Sequence, residues 1–199
     1  MTTTRRAVLA LSAAALPSVT TWAATVAAGM VEAVRGDAFV QAVATRRPLA
    51  PAAEVFVGEQ VGTGAASALS MRLGTATLVR LGADTMLRID RYLLGVGGVL
   101  QLGRGPMVFD RDEAAAKIDM AVRSPFGLIA VRGTRFFAGP SNGVFGVFTE
   151  RGLVTVIGVN EAVQVGPGYG TDIAAPGSEP TPPHLWGAPR IAAAFASVP

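Results

Sequence analysis

The chain has 199 residues, half of them hydrophobic and 16% charged, a balance that fits one globular domain and excludes charge-rich disorder. With no Cys and a single His, a disulfide framework, a thiol nucleophile, a zinc finger and a Ser-His-Asp triad in the domain body are excluded. The formal charge of +3 falls to +1 once Arg5 and Arg6 leave with the N-terminal segment read next, so no electrostatic footprint for nucleic acid remains.

Residues 1–23 read as an export signal. Thr4-Arg5-Arg6 gives the positive start, Ala7 to Leu16 the apolar middle, Pro17 a break, and Thr21-Trp22-Ala23 a small-residue cleavage site, with Ala24 a competing one. The apolar middle is shorter than the ~20 residues that span a bilayer. Thr4-Arg5-Arg6-Ala7-Val8-Leu9 has the form of a twin-arginine signal, and an ordinary secretory signal with two arginines is its alternative. No later apolar run is long enough to span a membrane, so the mature chain is expected to lack a transmembrane segment and to be periplasmic or secreted.

The body from residue 24 to 170 alternates with period two between turn residues. Leu69, Met71 and Leu73 alternate, then Val79 and Leu81, Leu87 and Ile89, Leu100 and Leu102, and Met107 and Phe109. Met120 and Val122, Ile129 and Val131, Phe145 and Val147, Val154 and Val156, and Val163 and Val165 complete the series. Each set predicts a strand with one buried face. The class is therefore all-β: one domain of stacked twisted hairpins, solenoid- or roll-like or a sandwich, with strands of about five or six residues. Arg80, Arg88 and Arg104 are expected to protect exposed strand edges. Asp110 to Lys117 reads as a loop with a helical turn. Residues 171–199 read as a Pro-rich tail with a short helix over 189–198, whose face Ile191, Phe195 and Val198 needs a cover.

In order, these stretches resemble the FecR-like domain, named after the ferric citrate regulator of bacterial envelopes. The resemblance begins at Val55 to Ser67, with its Thr63-Gly64 step, and continues through Met71 to Thr75 and Val79 to Thr85. Leu100 to Gly105 matches the next step. The signature piece is Val131-Arg132-Gly133-Thr134-Arg135-Phe136 after the Ser124-Pro125-Phe126-Gly127 turn, and Val144 to Gly170 closes the pattern. Leu73-Gly74 departs from the Asp-Gly that the family usually has there. The resemblance covers roughly residues 30–170 and implies the fold and an envelope location. It implies sigma-factor regulation only weakly, because the anti-sigma segment, membrane helix and receptor-contacting module of the best-known regulators are not seen in the sequence.

Gly133, Thr134 and Phe136 read as a structural signature, a bulge or bend with ladder and core residues beside it. Arg132 and Arg135 flank it as candidate binding contacts, by the fork geometry of the guanidinium. Asp110, Asp112 and Glu113 lack the Gly and closing Glu of a calcium loop and read as a solvated loop. Asp84, Asp90 and Asp110 are the acids from which a glycan-cleaving pair would be drawn. His184 is alone in the tail, and Gly95-Val96-Gly97-Gly98 lacks the helix a phosphate loop requires. The expected function is thus an exported, non-enzymatic binding or sensing module, free of cofactor and metal, that contacts an envelope protein or a glycan. A carboxylate-dependent glycan-cleaving enzyme and a purely structural envelope component are the other two readings.

Overall fold

The computed structural model describes residues 26–42, 45–93 and 95–199, so the expected export signal over 1–23 lies outside the described residues. The chain opens with β1 (Ala27–Arg35), β2 (Ala38–Gln41), β3 (Arg46–Pro48), β4 (Glu54–Phe56) and β5 (Gln60–Thr63). Then come β6 (Ala68–Leu73), β7 (Thr77–Leu81), β8 (Met86–Leu93), β9 (Gly97–Arg104) and β10 (Met107–Arg111). Last are β11 (Asp119–Ser124), β12 (Gly127–Ser141), β13 (Val144–Ile157), β14 (Ala162–Val165), β15 (Tyr169–Ile173), β16 (His184–Leu185) and the helix α1 (Ala188–Ala196). Every residue in the alternating series is buried except Val163, which is half-buried against the same core.

The architecture follows from two long strands. β12 and β13 pair antiparallel along most of their length and act as a spine. On one edge of β12, the first half pairs with β11 and the second half with β10. On the outer edge of β13, the halves pair in turn with β15 and β14. One wing therefore runs β11-β9-β8-β5-β2-β3 and the other β10-β7-β6-β1-β4, giving a continuous path of twelve strands. The sheet curls into an open half-barrel, so the wings face each other across one core of Val31, Met71, Leu81, Ile89, Leu100, Phe109, Val122, Phe136 and their neighbours. Tyr92 of β8 ties the wings by donating its hydroxyl to the Leu73 carbonyl of β6 at 2.8 Å. The pairing is antiparallel throughout, save one parallel ladder between β9 and β11.

Three expectations change in detail. The spine strands have 15 and 14 residues, well beyond five or six, because each serves two different neighbours in succession. Arg80 and Arg88 do not protect edges: β7 and β8 are interior strands, and alternation places these side chains on the outer face. Arg104 likewise closes β9, an interior strand, while the ends of the path are β3 and β4. After Asp110 and Arg111, which belong to β10, the segment to Lys117 is a turn without helix, held by the Asp112 carboxylate accepting from the Ala114 N–H at 2.9 Å.

The C-terminal segment folds back onto the body. β16 pairs with β15, so residue 170 falls within a strand. The helix is Ala188–Ala196, entered through Pro189, and lays Ile191, Ala194, Phe195 and Val198 over Val108, Phe137, Phe148 and Trp186 on the outer face of the sheet. Arg190 fastens it, with a bidentate pair to Asp172 at 3.0 and 2.6 Å, a bond to Ser141 Oγ, and its guanidinium 3.6 Å from the Trp186 ring centroid. No helix among the described residues is long and apolar enough to cross a membrane.

Candidate functional site

Register puts the outer side chains of five interior strands into rows. One row runs Arg91 of β8, Val99 of β9, Ala121 of β11, Ala130 of β12 and Thr155 of β13, each directly opposite the next. A step along the strands lie Asp119 and the facing pair Arg132 and Leu153. Small residues in the middle and long ones at the rim make an open groove of about 820 Å³, which Gly98, Lys117, Gly133 and Gly152 also line. Three cations and one carboxylate, Asp119, thus surround a floor of Gly98, Val99, Ala121 and Ala130. Arg91, Lys117 and Arg132 are exposed and make no ion pair among the described residues. In the opposite direction the same face continues as Arg88, Gln101 and Arg123.

The two candidate arginines part company here. Arg132 lines the groove. Arg135 points away from it, paired with Glu150 at 2.5 Å and Asp110 at 3.4 Å and lying 5.7 Å from the Phe195 ring centroid. Gly133 has φ +64 and Gly152 has φ +82, and the regular β12–β13 register is interrupted between Arg132 and Arg135. This bulge separates the half of the outer face covered by α1 from the open half. Thr134 is fully buried; its methyl packs near Gly152, and its hydroxyl has no partner among the described residues. Phe136 is also fully buried and stacks on Phe109 with centroids 5.4 Å apart.

Two of the candidate acids are engaged by arginines. Asp110 accepts from Arg151 at 3.0 Å and meets Arg135, while Glu113 pairs with Arg151 at 2.7 Å. Among the described residues no group of three or more His, Asp or Glu is placed to hold a metal. Asp84 sits in the turn before β8 with φ +51, and Asp90 is the extra residue of a bulge in β8. His184 lies 3.6 Å from Asp172, in the latch that holds α1. Gly97 and Gly98 serve close backbone approach: a Cβ on either would fall 2.0 Å from the Asp119 carbonyl oxygen or 2.4 Å from that of Arg91.

Arg91 and Lys117 are groove residues that period-two reading did not single out. Lys117 reaches the groove from the β10–β11 connection, which the buried Arg111 clamps by donating to the Ala116 carbonyl at 2.6 Å and to Thr77 Oγ1 at 2.9 Å. The available signal was a charged residue breaking an apolar-rich strand or closing a loop, which many solvated positions share.

The FecR protein family model matches residues 59–155, the segment from β5 through most of β13. Two crystal structures of a "putative anti-sigma factor" from Parabacteroides distasonis, at 1.65 Å and 2.50 Å, share the fold, each with a TM-score of 0.57 and 15% identity over 67% of this chain. The match spans 63% and 62% of those chains, just under two thirds of their length. No curated protein matches the chain in sequence. Together with the half-barrel and the Gly133–Phe136 signature at its spine, the family match identifies residues 59–155 as a FecR domain.

Proposed function

We propose that the protein is an exported, non-enzymatic binding and sensing module of the bacterial envelope, and that it docks an envelope protein or glycan on the open half of its outer sheet face. The observation that carries this reading is the groove itself. Among the described residues Arg91, Lys117 and Arg132 make no ion pair around a floor of small apolar residues, and Arg88 and Arg123 farther along the same face make none either. Unpaired cations around a concave, partly apolar surface are what a partner's charge and apolar side chains meet. The FecR domain supports a regulatory role, and the twin-arginine form of residues 4–9 supports export.

The test is a cross-linked pull-down from native envelopes with the protein and with its Arg91→Glu, Arg132→Glu double variant. A partner recovered by the first and lost by the second supports the reading. Equal recovery by both, or repeated recovery of nothing, contradicts it. Export is tested by Arg5→Lys with Arg6→Lys, which keeps the charge: precursor should accumulate in the cytoplasm, and normal periplasmic levels would show an ordinary secretory signal.

A further inference from the structure

We propose that the groove receives an acidic, amphipathic helical segment of a partner protein. This rests on the reading above that the open half of the outer face is a docking surface. The floor lies on interior strands, with β9, β11 and the Ala130 stretch of β12 each already paired on both sides. Their backbone donors and acceptors are consumed by neighbouring strands, so a partner cannot extend the sheet here as an added strand and must cover it with side chains. A helix does that, and a helix ~10 Å across covers about two strand spacings of ~4.8 Å.

The molecule contains the same solution a few residues away. Beyond the Gly133–Gly152 bulge, α1 covers the outer face of the same two spine strands, seating its apolar side chains on Phe137 and Phe148. The open half offers smaller seats, Ala121 and Ala130, with Leu153 exposed beside them. Its charge then selects the partner: three unpaired cations against one carboxylate favour Glu and Asp on the flanks of the incoming helix and disfavour Lys and Arg. A glycan fits less well. Among the described residues no aromatic ring lines the groove to stack on a sugar, and Asp119 is the one carboxylate there to accept from hydroxyl groups.

The experiment titrates the protein with two labelled peptides of about four helical turns, one with Glu and one with Lys flanking a common Leu and Ala face. The expected result at low salt is a preference of about tenfold for the Glu peptide, from three exposed charge pairs, which shrinks as salt rises. In the Arg91→Glu, Lys117→Glu, Arg132→Glu variant the preference should reverse toward the Lys peptide, with thermal unfolding checked for an unchanged fold. The salt series on the unmodified protein decides the matter if that variant does not fold. Equal binding of the two peptides, or a salt-independent preference, overturns the proposal. Stronger binding of polygalacturonate than of the Glu peptide overturns it in favour of a glycan. If the peptides fail while the envelope pull-down still depends on Arg91 and Arg132, this inference alone falls; if both fail, the docking surface falls with it.

Discussion

Gly152→Ala puts the spine to the test. Gly152 has φ +82, a conformation that costs an L-residue about 1–2 kcal/mol. Space adds a second cost. A Cβ there would lie 2.7 Å from the Gly133 carbonyl oxygen, 2.7 Å from Thr134 Cγ2 and 3.0 Å from Thr134 Cα, where carbon contacts settle at about 3.5–4.0 Å. Two of those three atoms are backbone of the facing bulge, so β12 itself must shift, and overpacking of this kind costs about 1–3 kcal/mol. The sum is about 2–5 kcal/mol, or a fall of roughly 5–15 °C in Tm for a chain of this size. Gly177→Ala is the matched control, with φ +84 and no atom within 4 Å of the added Cβ, so it carries the backbone cost alone. Thermal and urea unfolding of the two variants give the comparison. Equal destabilisation would refute the argument that Gly152 is locked against the Gly133–Thr134 backbone across the spine.

Phe136→Ala removes a fully buried ring stacked on Phe109 and should cost about 3–5 kcal/mol in urea unfolding. Arg190→Ala breaks the bidentate pair to Asp172 and uncovers Trp186; it should cost about 1–3 kcal/mol, alter Trp186 fluorescence and expose α1 to limited proteolysis. The Glu179 carboxylate is held below its ordinary range, chiefly by the Asn160 N–H it accepts, with the Glu161 N–H and the Asn160 side chain adding to it and desolvation opposing. A depressed carboxylate stabilises above its unfolded pKa and loses that contribution as the pH falls through the folded value. The protection factors of the Asn160 and Glu161 amides, corrected for the intrinsic exchange rate at each pH, should therefore fall as the pH drops below the ordinary glutamate range, and Glu179→Gln should remove that acid dependence.

Much of the core was legible because burial on one face of a strand imposes period two, and the alternating sets from Leu69 to Val165 are the residues the wings bury between them. The FecR signature was legible for a related reason, since a bulge needs Gly133 where φ turns positive and a large apolar residue, Phe136, where the strand resumes. Alternation says which face a residue takes and nothing about which strand lies beside it. Hence charge and alternation do not distinguish an edge guard from Arg80 and Arg88, which stand on interior strands, and the parallel β9–β11 ladder has no local signature. Arg132 and Arg135 look alike in sequence because what separates them is remote: Asp110, Glu150 and Phe195 claim the second and leave the first. The apolar spacing of Ile191, Phe195 and Val198 shows that this face needs a cover, but its target, Phe137 and Phe148, lies some 50 residues upstream and is set by the register of the spine.

The central claim is that the open half of the outer face is where the protein meets its partner. A photo-cross-linking residue placed at Leu153, on the groove, and separately at Val159, an even more exposed position in the turn after β13, measures this directly in the native envelope. The account predicts a discrete adduct from Leu153 that vanishes when Arg91→Glu and Arg132→Glu are added, and none from Val159. Adducts from Val159 with none from Leu153, or a Leu153 adduct indifferent to the two charge reversals, would contradict it.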